Sequence, residues 1–127
     1  MIRFTFNAKK SAHAASILLR LNDGDMQNYC FIKMLYLADR EAYAKWGKPI
    51  TGDTPVSMKH GPVLSTVYDL TKGELPSLRA DWEPFISDAD PETNRVSLND
   101  PGDDELSNSE IKIAQPIVPL AHAWPNM

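Results

Sequence analysis

Lys33, Tyr36, Arg40 and Tyr43 follow one another at intervals of three, four and three residues, which puts them on one face of a helix. They have the composition of a surface that grips another protein, where Tyr and Arg carry much of the binding energy. Aromatic residues at helical spacing are more commonly core, and for Tyr36 and Tyr43 both uses stay open. Lys59 and His60 precede Gly61-Pro62, which reads as a helix start with Gly at the cap and Pro at the first position. Free N–H groups and the helix dipole favour an anion or carboxylate there, although a tight start whose polar side chains satisfy nearby backbone is the simpler reading. Lys33, Tyr36, Arg40, Lys59 and His60 are therefore the candidate partner-binding residues.

No other residue set promises bond-making chemistry. His13, His60 and His122 are scattered, with no H-x3-H or H-E-x-x-H spacing, so no metal is expected. Cys30 is the single cysteine and lies between Tyr29 and Phe31, where it reads as a small buried hydrophobe; it can form neither an intrachain disulfide nor a thiolate cluster. Asp23/Asp25, Asp88/Asp90 and Asp103/Asp104 fall in turns, where Asp serves the backbone. The frame opened by Asp23 has Met34 where a calcium loop needs Glu. No glycine-rich phosphate loop occurs. The chain reads as a non-enzyme that needs no cofactor.

Charge divides the sequence. Residues 1–80 hold 11 Lys/Arg and 7 Asp/Glu, whereas residues 81–127 hold 2 and 10. The bland meaning is a solvated acidic region, and a net charge of −4 argues against nucleic acid as a nonspecific partner. No apolar run approaches the roughly 20 residues that span a bilayer, and the N-terminus lacks a signal-type apolar stretch. A cytoplasmic protein with no membrane partner is the expectation, and 127 residues fit one domain.

Three helices must position the candidate face. Asn7 can cap a helix over 8–21, with Ala8, Ala12, Ala15 and Leu19 on its buried side. Asp25 is the next cap, for a helix over 26–46 whose stripe is Phe31, Leu35, Ala38, Ala42 and Trp46 and whose stop is Gly47 then Pro49. Pro49 to His60 is a link with a short extended run at Val56–Lys59. A third helix covers 62–72, burying Val63, Leu64, Val67 and Leu70. Further on, Trp82–Ser87 and Arg95–Leu98 can pair as a hairpin, with Pro84 confining its strand to an edge. Ser107 and Glu110 form a capping box for a short last helix, and Pro116, Pro119 and Pro125 leave residues 116–127 an irregular tail. Ile2, Phe4 and Phe6 fit either an edge strand or an ordered arm.

The order Lys33-Met-Leu-Tyr-Leu-Ala38, then Gly47-Lys-Pro49, then Lys59-His-Gly-Pro-Val63 resembles the Panacea domain of SocA-like antitoxins, over roughly residues 10–110. His60 stands where that family commonly has Tyr, and the proline-rich end departs from the longer helical C-terminus of similar proteins. The resemblance implies an antitoxin of a bacterial or phage toxin–antitoxin system, binding and neutralising a cognate protein toxin. In the SocA type the domain is also a proteolytic adaptor that delivers its toxin to a ClpXP-type protease. The expected fold class is α+β, predominantly α-helical, a single domain over 1–127 with a small β-hairpin. Two other functions fit parts of the pattern. A winged-helix-like DNA-binding regulator matches three helices and a hairpin, but 62–72 offers only Lys72 against Asp69 as a recognition helix. A phage-associated accessory or inhibitor protein would lack a toxin partner altogether.

Overall fold

In the computed structural model, which describes residues 4–59, 61–99 and 112, Asn7 opens the first helix as its side chain predicts. Its Oδ1 accepts from the Lys10 N–H at 3.0 Å, satisfying a donor that the first turn leaves over. Helix α1 runs Ala8–Leu21 and buries Ala8, Ala12, Ala15 and Leu19, with Ile17 and Leu18 also inside. Residues 4–7 form no strand and run as an arm against the link after the second helix, where the Asn7 N–H donates to Thr51 O at 2.8 Å. That approach needs a glycine: a Cβ on Gly52 (φ +76°) would sit 2.3 Å from Thr5 O.

Strand β1 (Asp25–Gln27) leads directly into helix α2 (Asn28–Trp46). The expected cap is corrected here. Asp25 lies in the strand and ion-pairs with Arg95 through two bonds, 2.8 and 3.1 Å, while the Gln27 side chain caps α2 by accepting from the Cys30 N–H at 2.9 Å. Gly47 ends the helix in the left-handed conformation, φ 74°, as its position predicts. Phe31, Leu35, Ala38 and Ala42 are buried as expected. Trp46 is not: it lies one turn beyond Ala42, the last buried position, and is 40% exposed.

The largest correction concerns Gly61–Leu64, which is a strand and not the start of a helix. Strand β2 (Pro55–Met58) pairs antiparallel with β3 (Gly61–Leu64), Met58 opposite Gly61. The Ser65 N–H donates to Thr54 O at 3.0 Å, so pairs 54/65, 56/63 and 58/61 are the hydrogen-bonded ones by the two-residue alternation of an antiparallel ladder. Pro55 and Pro62 fall between them, where no N–H is required, which is how two prolines fit into four-residue strands. Helix α3 then spans Ser65–Thr71. Its cap comes from a distance. Asp53 accepts from the N–H groups of Thr66 at 3.1 Å and Val67 at 2.9 Å.

A short helix α4, Pro76–Arg79, follows Leu75, and strand β4 is Arg95–Ser97. The expected hairpin is only partly present. β4 pairs with β1, Met26 opposite Val96, while the predicted partner segment contributes the Ile86–Leu98 bridge and a bond from the Ser87 N–H to Ser97 O at 2.9 Å. Residues 82–86 curl into a turn instead, with the Phe85 and Ile86 N–H groups donating to Trp82 O. This turn buries Trp82 edge-on against Phe31, ring centroids 6.2 Å apart. Apolar burial of a ring that size outweighs two ladder bonds.

One apolar cluster gathers Leu18 and Leu19 from α1, Phe31, Met34 and Leu35 from α2, then Leu64, Leu70, Trp82, Ile86 and Val96. The architecture is α+β and mainly helical, with β1–β4 and β2–β3 as two-stranded antiparallel sheets among the described residues. Among those residues no helix is long and apolar enough to cross a membrane. The capping box at Ser107 and the tail over 116–127 lie outside the described residues, as does His60.

Candidate binding surface on the second helix

Helix α2 buries one side in the core and turns Lys33, Tyr36, Arg40 and Tyr43 towards the β2–β3 hairpin and the solvent. Lys33 and Tyr36 are half-buried; Arg40 and Tyr43 are exposed. The Lys33 ammonium donates to Pro62 O at 3.1 Å and lies 5.0 Å over the Tyr36 ring. Pro62 O is available because its strand position directs the carbonyl away from β2. A Cβ on Gly61, whose φ is +105°, would come within 3.0 Å of the same nitrogen. The K-M-L-Y-L-A and K-H-G-P-V segments therefore meet in space, Lys33 of the first closing on Gly61-Pro62 of the second. Burial, helped by the nearby Arg40 charge, pulls the Lys33 pKa down.

Tyr36, Arg40 and Tyr43 line a cavity of about 390 Å³, closed on its other sides by Phe4, Pro49, Pro55 and Leu64 and reaching Asp39 and Asp53. Phe4 comes from the N-terminal arm and meets Tyr43 edge to face, centroids 6.0 Å apart at 89°. Both rings keep an outer surface in solvent, Phe4 39% and Tyr43 55% exposed. Among the described residues no carboxylate pairs with Arg40.

The two carboxylates hold the cavity wall. Asp39 is buried on the core side of α2 and accepts from the Ile50 N–H at 3.0 Å, the Thr51 N–H at 2.8 Å and the Thr51 hydroxyl. Burial pushes its pKa up to about 6, against the opposing pull of those bonds. Thr51 Oγ1 in turn accepts from the Asp53 N–H at 3.1 Å. Asp53 takes the Thr54 N–H at 2.7 Å besides the two from α3. A raised carboxylate pKa beside a cavity is one mark of a general acid. Here three protein donors converge on a carboxylate only 6% exposed, so Asp39 anchors the link between α2 and β2.

Of the five sequence-predicted residues, Tyr36 and Arg40 line the cavity and Lys33 supports Tyr36 from behind. Lys59 is exposed in the turn beyond Met58 and does not reach the cavity. The helix N-terminus that would have given Lys59 and His60 an anion site starts at Ser65, and Asp53 occupies it. Sequence reasoning missed Phe4, Asp39 and Asp53. For Asp39 a signal existed: it stands four residues after Leu35 and next to Ala38, on the apolar side of the helix, where a carboxylate needs dedicated donors. Nothing local marked Asp53 as the cap of α3, since the N–H groups it caps lie 13 and 14 residues away.

Another hollow, about 560 Å³, opens between the start of α2 and the 88–94 loop, lined by Tyr29, Tyr68 and Lys72 among others. Its acids are engaged: Asp88 pairs with Arg79, and Asp90 accepts from the Glu92 and Thr93 N–H groups. Cys30 is buried, and burial pushes its thiol pKa up to about 11. Among the described residues no group of three or more His, Cys, Asp or Glu side chains could hold a metal ion.

The family model of the antitoxin SocA-like, Panacea domain matches residues 31–124. That span takes in α2 from Phe31 onward, the β2–β3 hairpin, α3, α4 and β4. No curated protein and no solved structure matches the chain.

Proposed function

Since the chain belongs to the SocA-like antitoxin family of the Panacea domain, we propose that it binds and neutralises a cognate protein toxin through the Tyr36–Arg40–Tyr43 face of α2 and the cavity beside it. One observation supports this reading: an exposed arginine with no carboxylate partner among the described residues, set among partly exposed aromatic rings on a helix. Tyr and Arg are the residue types that carry most of the binding energy at protein–protein interfaces. The reading is one of binding and not of catalysis, and the commitment of both cavity carboxylates to protein donors supports it. Delivery of the bound toxin to a ClpXP-type protease would follow binding, and it rests on the family resemblance alone.

A winged-helix mode of DNA binding finds no support in the topology. The β2–β3 hairpin precedes α3 instead of following it, and α3 is seven residues long with Asp69 and no Lys or Arg. The test of the antitoxin reading is co-expression with the adjacent reading frame of the source genome. Rescue of growth that the frame alone abolishes is the expected result. An adjacent frame that is harmless alone, or lethal with and without this chain, contradicts it.

A further inference from the structure

The cavity on α2 holds more than a general invitation to a partner. Its geometry points to a definite ligand chemistry: we propose that it receives one apolar side chain of the partner polypeptide, seated against the outer surfaces of the Phe4 and Tyr43 rings, with a neighbouring carboxylate of that polypeptide on the Arg40 guanidinium. The inference deepens the antitoxin reading and rests on it for the identity of the partner, but not for the chemistry of the site.

Charge decides the polar half. Both acids at the cavity already accept from protein N–H and hydroxyl groups, Asp39 from Ile50 and Thr51, Asp53 from Thr54, Thr66 and Val67. Among the described residues at the cavity Arg40 is the outward charge, and the Lys33 ammonium, two positions away on the same face, has its pKa pulled down by burial and then by the Arg40 charge. An incoming carboxylate relieves that repulsion and matches the planar fork of the guanidinium. A cationic or neutral polar segment would do neither. Phosphate is a weaker fit, because no helix N-terminus or glycine-rich loop opens into the cavity to supply further donors.

Shape decides the apolar half. The volume of about 390 Å³ lies in the range of sites that enclose a small group, and the edge-to-face pair Phe4–Tyr43 leaves ring surface facing outward. Recognition by strand addition is blocked on this side: on the free edge of β2, Pro55 presents a carbonyl with no N–H, so an added strand would lose a ladder bond at once. Side chains must therefore carry the contact. The walls are already fixed, by Asp39 on the link after α2 and by Asp53 on α3, so little ordering is needed on binding.

The test uses the purified full chain and three probes of defined chemistry: N-acetyl-phenylalanine, its amide, and N-acetyl-glycine. Binding is followed by amide and aromatic NMR shifts. N-acetyl-phenylalanine is expected to move the resonances of Tyr36, Arg40 and Tyr43 and to bind roughly fivefold tighter than its amide, the worth of one solvent-facing ion pair. N-acetyl-glycine, which lacks the side chain, should bind more weakly still. Arg40→Gln, an exposed change that leaves the melting temperature in place, should erase the difference between acid and amide. Equal binding of acid and amide, shifts centred elsewhere, or no binding of any probe overturns the proposal. The two readings fail separately. If growth rescue persists unchanged in Arg40→Glu and Tyr43→Ala, the toxin-binding role stands and this site assignment falls. If the probes behave as expected and no adjacent frame is rescued, the site stands and the antitoxin role falls.

Discussion

Asp39 is where a single substitution should reveal most about how the binding surface is held. Asp39→Ala removes the acceptor for the Ile50 and Thr51 N–H groups and the Thr51 hydroxyl, all on buried residues. Leaving buried donors unsatisfied costs about 1–3 kcal/mol each, so a total loss of roughly 3–5 kcal/mol is expected after partial relaxation. That is a large share of the ~5–15 kcal/mol by which domains of this kind are stable. Asp39→Asn keeps an oxygen for the backbone donors and removes the charge, so it should fold. The pH dependence then separates the two effects. With the folded pKa at about 6 and the ordinary value at 3.8, the native state takes up the proton first as pH falls. Wild type should therefore gain stability relative to Asp39→Asn on going from about pH 7 to pH 4, by up to about 3 kcal/mol, and lose that advantage as pH rises through 6. Urea unfolding of the two variants and wild type at pH 4.5, 6 and 7.5 measures it. A wild-type-minus-Asn difference that is flat with pH, or that rises towards neutrality, refutes the argument, as does an Ala variant within 1 kcal/mol of wild type.

Three more perturbations test neighbouring parts of the account. Gly52→Ala would drive a Cβ into Thr5 O and strain a left-handed residue, so it should detach the N-terminal arm and expose Phe4 and Tyr43, seen as faster proteolysis near residues 1–7 and loss of the Phe4–Tyr43 contact in NMR. Asp53→Ala removes the cap of α3 and should cost about 1–2 kcal/mol in urea unfolding, with Asp53→Asn recovering part of it. Arg95→Ala breaks a pair whose side chains are 41% and 46% exposed, and should cost less than 1 kcal/mol in the same assay. Because Arg95 holds the Asp25 pKa below its ordinary value, whatever the pair contributes is present at neutral pH and fades as pH falls through the lowered pKa of Asp25.

Much of the framework was legible in residue spacing. Asn7, the alanine stripe and Leu19 define α1 at both ends, and Gly47 before Pro49 ends α2, because these signals act over one or two turns. The same local logic misled at Gly61-Pro62. That pair is an accepted helix start, yet here Gly61 supplies the positive φ of a hairpin turn and Pro62 a strand position without a ladder bond. The deciding interactions are distant, from Lys33 to Pro62 and from Asp53 to α3, with sequence separations of 29 and of 13 and 14. Strand β4 chose Met26 as its opposite number over the nearer Trp82–Ser87 segment because Trp82 is worth more in the core beside Phe31. At the candidate site the helical half, Lys33 to Tyr43, was visible as a periodic face. The other half, Phe4, Pro55 and Asp53, arrives through the arm and the link, which carry no periodicity to read, while Asp39 stands on the apolar side of α2.

The central claim is that the α2 face and its cavity are what a partner covers. Hydroxyl-radical footprinting of the chain, alone and with the protein of the adjacent frame, measures that directly, since exposed aromatic side chains react readily. The account predicts that Phe4 and Tyr43 lose reactivity in the complex while Tyr29 and Tyr68, around the other hollow, keep theirs. Protection of Tyr29 and Tyr68 with Phe4 and Tyr43 unchanged would contradict it.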